Sequence, residues 1–302
     1  MAKQNSLSLF EFIQRLGSEK ACYDHLYNIK WPNGFKCPRC SHDSAYVTKT
    51  RRHPIYECRS CRHQTTVTAG TIFERTRTPL RKWFLAIFFM SQDKRGVSAL
   101  HLYKQLGISY ETAWTMQHKI RKAMCDRDTS YQLEGIVEID DSFFGAPKPG
   151  SKRGRGAKKN TVIIALSLNS SGNPMFLKME PVNNLKGSTV IDFARRNLRK
   201  NVRISSDLYS SYKVLSKDFA HEPKEFNLLD NPEHLNWLHT IISNAKRFVK
   251  GTYHGLGAKH LKAYLAEYCF RFNRRFFGNE LFNRLVNCCV NSQTVTYSEL
   301  VR

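Results

Sequence analysis

No apolar run in this chain approaches the ~20 residues that a membrane-spanning helix needs. The longest, Trp83 to Met90, has eight residues and stops at Ser-Gln-Asp-Lys. The opening stretch, MAKQNSLSLFEF, lacks the apolar segment of a secretory leader. The expected setting is therefore cytoplasmic and reducing, with no membrane partner. Acidic residues are scarce: 25 Asp and Glu stand against 48 Lys and Arg, a formal charge of +23. A surface this basic attracts polyanions at long range. Nucleic acid is the expected partner, because phosphates neutralised by protein cations release counterions. An odd count of nine cysteines argues against a disulfide framework. Cys22, Cys125, Cys269, Cys288 and Cys289 are scattered and read as packed thiols. The chain does not lack apolar residues: at 41% of 302 residues they exclude global disorder and supply cores for two or three domains.

The other four cysteines form two C-x-x-C pairs, Cys37 with Cys40 and Cys58 with Cys61, with 17 residues between the pairs. Such turns can place four thiolates tetrahedrally around one Zn²⁺. Aromatic and β-branched neighbours (Tyr46, Val47, Tyr56, Thr65, Thr66, Val67) suit short strands held together by that metal. A redox reading needs a single C-x-x-C in a βαβ context, which is absent. Four Cys ligands leave no open position for catalysis, so the zinc is expected to be structural. His42, His53 and His63 read as loop residues rather than ligands.

Pro79 to Met90 reads as an apolar helix. The segment GVSALHLYKQLGISYETAWTMQHKIRKAM follows. Ser98 begins one helix, Gly107 ends it, and Ser109 caps a second with Ala113, Met116, Ile120 and Met124 on one face. Two helices around a glycine-containing turn are a helix-turn-helix pattern. Tyr110, Glu111, Thr112, Thr115, His118 and Lys119 are expected on the exposed face. Tyr110, Thr112, Thr115, His118 and Lys119 are the candidate DNA contacts, with the N-terminal end nearest base edges.

The periodicity changes near residue 133. Leu133–Ile139, Thr161–Leu168 and Met175–Val182 read as strands, Ser188–Leu198 as a helix, Val202–Ser206 as a strand and Trp237–Lys250 as a helix. This is the RNase H-like order, with Asp140 on the first strand and Asp207 after the fourth. In-line displacement at phosphorus uses two Mg²⁺ ions roughly 3.5–4 Å apart, held by few, hard oxygen ligands. Asp140 and Asp207 supply them. The loop at 148–159, KPGSKRGRGAKK, has six Lys or Arg and three Gly. Its Lys152, Arg153 and Arg155 are candidate phosphate contacts. The expected organisation is a multidomain α+β chain: helix and zinc ribbon over 1–75, helix-turn-helix over 76–130, and an RNase H-like mixed-sheet domain with C-terminal helices over 131–302.

These motifs together resemble transposases of the IS1595 family of bacterial insertion sequences, over nearly the whole chain. The resemblance rests on C-P-x-C…C-x-x-C, Q-L-G-I-S-Y-E-T-A-W, V-E-I-D-D-S-F-F-G, K-R-G-R-G-A, S-D-L-Y-S-S-Y, H-T-I-I-S-N-A-K, G-T-Y-H-G and R-F-N-R-R. It implies a DDE-type, metal-dependent transposase (Mg²⁺ or Mn²⁺) that cuts and joins DNA at terminal inverted repeats. It also implies a homo-oligomer on DNA, associated with the nucleoid when bound. Asp140 becomes the first catalytic carboxylate and Asp207 the second. The residue after the first Asp is often Glu in the family and here is Asp141. The third carboxylate is absent, which leaves His239 and Asn244. Asn244 follows Asp207 with 36 residues between them; His239 precedes Lys246 by seven. On a helical wheel His239 shares a polar face with Lys246, and Asn244 borders the other side. Glu267 is a further acidic residue that reads as an ion-pair partner of the nearby arginines. A DNA-binding regulator, a plain nuclease or resolvase, and a defective copy are the competing readings.

Overall fold

The computed structural model describes residues 7–48, 53–145, 159–225, 234–254 and 256–301. The chain folds as two compact units that interleave along the sequence. One comprises Met1–Asp93, Ala99–Met124 and Phe276–Arg302, the other Lys94–Ser98 and Cys125–Arg275.

In the first unit, α1 (Leu9–Leu16) opens on a reciprocal cap. Ser8 Oγ accepts from the Glu11 amide at 3.2 Å, and Glu11 Oε2 accepts from the Ser8 amide at 2.8 Å. Ser18 caps α2 (Glu19–Lys30) in one direction only, its Oγ accepting from the Ala21 amide at 3.1 Å. The ribbon strands follow: β1 (Ala45–Thr48), β2 (Ile55–Cys58) and β3 (Gln64–Thr65), paired antiparallel in that order. Next comes α3 (Leu80–Gln92), with Pro79 at its N-cap. It is apolar on nearly every side because it is buried on nearly every side: Leu80, Trp83, Phe84, Ile87, Phe88 and Met90 are all enclosed. Then come α4 (Ala99–Leu106) and α5 (Tyr110–Thr129), joined through Gly107 at φ 56°, a conformation natural to glycine.

The second unit is built on a five-stranded sheet. Its strands are β4 (Ile136–Phe144), β5 (Asn160–Leu168), β6 (Pro174–Val182), β7 (Arg203–Ser206) and β8 (Ala220–Pro223), with α6 (Gly187–Asn197) between β6 and β7. Their order across the sheet is β6-β5-β4-β7-β8. The first three strands are antiparallel, and β7 and β8 run parallel to β4. This is the RNase H-like arrangement. It differs from the sequence reading at two points. β4 continues through Phe144, which places Asp140 mid-strand, and β8 is present although it carries no apolar alternation.

Strand alternation sorts the two faces. Val137, Ile139, Ile163 and Ala165 face α6 and a 3₁₀ helix at Ser210–Lys217, meeting Val190, Phe193, Ala194 and Leu215. Phe144, Val162, Ile164 and Leu177 face α7 (Asn236–Thr252) and α8 (Ala258–Asn273), meeting Leu238, Ile241, Ala245, Leu261 and Leu265. The helices expected at the end of the catalytic half divide: α8 packs on β6, whereas α9 (Glu280–Asn291) packs on α3. There Phe282 meets Phe12 at 5.4 Å and Phe84 at 6.1 Å between ring centres. Among the described residues no helix is long and apolar enough to cross a membrane.

Candidate active site and zinc ribbon

The two cysteine turns of the ribbon are built alike. The Cys37 amide donates to His42 O (2.8 Å), and the Ser41 amide donates back to Cys37 O (2.9 Å). The Cys58 amide likewise donates to His63 O (3.0 Å), and the Arg62 amide to Cys58 O (3.1 Å). Ser41 and Arg62 both take positive φ, 61° and 58°. The two turns present Sγ atoms that lie within 4.8 Å of one another, with Cys37–Cys61 at 3.6 Å and Cys40–Cys58 at 3.5 Å. A tetrahedral Zn²⁺ with bonds of ~2.3 Å needs sulfur separations of roughly 3.8 Å, so these four thiolates fit a structural zinc. His42 and His63 take part through backbone carbonyls and are absent from the ligand cluster, as is His53. Behind the ribbon, Tyr56 packs on Trp31 (5.0 Å) and Phe35 (5.6 Å), tying β2 to the end of α2. Lys30 Nζ donates to the carbonyls of Thr66 (3.0 Å), Val67 (3.3 Å) and Ala69. Burial holds its pKa down at about 8.

On the sheet, Asp140 occupies the middle of β4 on the α7 face. Its parallel neighbour β7 ends in register, with Ile139 opposite Ser206, so the next pair is Asp140 beside Asp207. One oxygen of each carboxylate is already committed. Asp140 Oδ1 accepts from the Asp141 amide at 2.7 Å, and Asp207 Oδ1 from the Tyr209 amide at 3.0 Å. Asp140 Oδ2 turns toward α7, where His239 Nε2 lies at 3.4 Å. His239 is half exposed. Its pKa is raised first by this contact, against burial, and further by the charges of Asp140, Glu138 and Asp207. The helix that presents it starts from Leu235, buried and held at φ 55°. That left-handed conformation is unfavourable for leucine. The His239 amide donates to Leu235 O at 2.9 Å and closes the first turn. Lys246 lies on the same helix face. Its Nζ is 5.9 Å from the Phe144 ring centre, its pKa lowered by burial and by Lys159 and supported by Asp140.

The structure thus brings Asp140, Asp207, His239 and Lys246 to one face of the sheet. Asn244 is exposed, about 140° around the helix from His239 at 100° per residue. Glu267 is fully buried on α8, with Tyr253 Oη at 3.4 Å and Arg271 Nη1 at 4.0 Å. Among the described residues only the four cysteines draw three or more metal-ligating atoms to within 4.8 Å of one another; the sheet carboxylates and His239 are more widely spread.

On α5, Tyr110 and Glu111 are exposed, and Thr112 and Thr115 partly so. His118 corrects the sequence reading. It is 2% exposed and lies with its ring centre 4.1 Å from that of Trp114, so it belongs to the core of the first unit. Lys119 is also partly enclosed, donating to Thr294 Oγ1 at 2.9 Å. Apolar spacing misplaced both because α5 is covered on more than one side. Lys152, Arg153 and Arg155 lie outside the described residues. Sequence reasoning missed Glu138, a buried carboxylate two residues before Asp140. Period-2 alternation within V-E-I-D was the available signal, since it puts both acids on one face.

A thiolate ribbon preceding an RNase H-like sheet with paired aspartates at its centre defines the class of protein. Residues 132–273 match the ISXO2-like transposase domain, and residues 17–64 match the transposase zinc-ribbon domain. Both matched segments are thus similar to transposase domains. It is 25% identical over 281 residues to an uncharacterized protein in transposable element ISH50 of Halobacterium salinarum, covering 86% of this chain and 92% of that one. Among solved structures it is similar to a pre-cleavage Mos1 transpososome (15% identity, TM-score 0.31, 67% of this chain and 76% of the other). A Mos1 mariner paired-end complex with Mn gives 15% identity and a TM-score of 0.31 over 72% and 88%.

Proposed function

We propose that the chain binds the terminal inverted repeats of an insertion sequence and catalyses metal-dependent DNA strand cleavage and strand transfer. The observation that carries this reading is the approach of His239 Nε2 to Asp140 Oδ2, on the sheet face that Asp207 shares. The donor set fits divalent cations of the Mg²⁺ or Mn²⁺ type. Asp140 and Asp207 offer hard carboxylate oxygens from adjacent strands, and Asp140 Oδ2 points toward α7. When bound, the metals polarise the scissile phosphate and lower the pKa of an attacking water or 3′-hydroxyl. The chain's own groups do the positioning. Asp140 and Asp207 are fixed by their backbone contacts, and His239 faces the remaining Asp140 oxygen as a third ligand. Lys246, two turns along the same helix face, holds a backbone phosphate of the DNA end. Tyr110, Thr112 and Thr115 at the start of α5 read the repeat. The basic loop carrying Lys152, Arg153 and Arg155 contacts phosphates. Double-stranded DNA, as repeat and as target, is the partner, with a homo-oligomer assembled on it in a cytoplasmic, nucleoid-associated setting.

The test is cleavage of a duplex ending in the element's own terminal repeat. Asp140→Ala and Asp207→Ala abolish cleavage and retain binding. His239→Ala removes activity in Mg²⁺ and regains part of it in Mn²⁺, Asn244→Ala is milder, and Lys246→Ala weakens binding to the end. An inactive Asn244→Ala beside an active His239→Ala would exclude His239 as the third ligand.

A further inference from the structure

Glu138 is a charged group with no role in the chemistry assigned above. It leaves β4 on the same face as Asp140, toward α7, and its register partner on β7 is Ser205, two residues before Asp207. It is 8% exposed, and among the described residues its Oε2 has no hydrogen-bond partner. Its neighbours on α7 are the backbone N–H of Leu238, which donates to it, and His239. His239 Nε2 lies 3.4 Å from Asp140 Oδ2 on the same side of the sheet.

A buried carboxylate oxygen without a partner is costly, and folded proteins leave few of them. The other buried glutamate nearby shows the structural solution. Glu267 has Tyr253 Oη at 3.4 Å from each of its oxygens and Arg271 as an ion-pair partner. Among the described residues Glu138 has only the Leu238 amide, at the start of α7, and the nearby His239, and it shares the strand face of Asp140. An isosteric amide or an apolar residue would be cheaper there unless the charge is used.

We propose that Glu138 is the third carboxylate of the metal site, supplying from β4 the acidic charge that α7 lacks. This rests on reading Asp140 and Asp207 as a divalent-metal site. In this arrangement the cations meet three carboxylates, two from the central strand and one from its parallel neighbour. His239 covers them from α7.

The test uses the full chain with its ribbon zinc in place, free of DNA. Mn²⁺ binding is followed by paramagnetic resonance, and the unfolding midpoint is measured without divalent metal. Glu138→Gln is expected to weaken Mn²⁺ binding by about 10-fold or more, the scale of loss when a metal site's supporting groups are removed. It is also expected to raise the metal-free midpoint, because a desolvated charge has gone. Wild-type Mn²⁺ affinity in folded Glu138→Gln overturns the proposal, and so does a lower midpoint with affinity unchanged, the mark of a structural residue. Asp140→Asn in the same assay tests the underlying reading. If it too binds Mn²⁺ normally, there is no metal site on this face; if it alone loses Mn²⁺, only the role of Glu138 fails. Should Glu138→Gln not fold, Glu138→Asp keeps the charge and withdraws it by one methylene. Reduced affinity is then expected, and wild-type affinity overturns the proposal.

Discussion

Tyr212 donates its phenolic hydrogen to Asp141 Oδ1 at 3.1 Å, on the sheet face opposite the one that presents Asp140. Two adjacent aspartates therefore have separate environments, because consecutive strand residues point to opposite faces. Burial and the neighbouring Asp141 and Asp140 push the Tyr212 phenol far up, so it remains a donor at any working pH. Tyr212→Phe would leave Asp141 short of a buried partner and lower stability by about 1–3 kcal/mol, read by urea unfolding, with cleavage retained. Asp140→Asn should show the opposite pattern: stability kept and cleavage lost. Loss of cleavage in a stable Tyr212→Phe protein would put Asp141 in the machinery.

The ribbon should depend on its metal. The strands are two to four residues long, too short to bury a self-sufficient core. Chelation, or Cys58→Ser, is expected to release Trp31 from its packing on Tyr56 and to shift its fluorescence toward that of a solvated indole. About one zinc per chain should be found in the intact protein, and none would sink this assignment.

The start of α5 should separate from its middle. Tyr110→Ala and Thr115→Ala are expected to weaken binding to the terminal repeat, each by about 1–3 kcal/mol if they reach base edges. Fluorescence anisotropy at fixed salt is the measurement. His118→Ala should instead lower stability by about 1–3 kcal/mol through lost packing on Trp114. Normal stability with impaired DNA binding in His118→Ala would mean that this part of α5 is exposed when DNA is bound.

Lys30 gives the first unit a pH dependence. Its pKa in the folded protein is about 8, below the usual value of 10.5. Between these two values the unfolded chain binds more protons than the folded one, so stability rises with pH across that window. Below pH 8 both states are protonated and the contribution is flat. Compared with Lys30→Met, the wild type should therefore gain relative stability as pH rises from about 8 toward 10. Urea midpoints of the two proteins at several pH values decide it; parallel curves would show that Lys30 keeps its normal pKa.

The amino-acid sequence alone determined the features that depend on local spacing. C-x-x-C turns set their own hydrogen bonds, so the zinc ligands could be named from residue numbers. Period-2 and period-3.6 patterns are intrinsic to strands and helices, so four of the sheet's five strands and the one helix bearing His239, Asn244 and Lys246 were legible. Asp140 and Asp207 followed from strand order. Tertiary structure alone decided what depends on neighbours distant in sequence. It set which side of α5 is covered, and so buried His118. It brought His239 within 3.4 Å of Asp140 across 99 residues of chain. It drew Phe276–Arg302 into the first unit, although those residues follow the sheet. It left Glu138 enclosed on the strand face of Asp140 with, among the described residues, no partner for one oxygen. Burial is a property of surfaces brought together, and no spacing rule within one segment encodes which surface arrives.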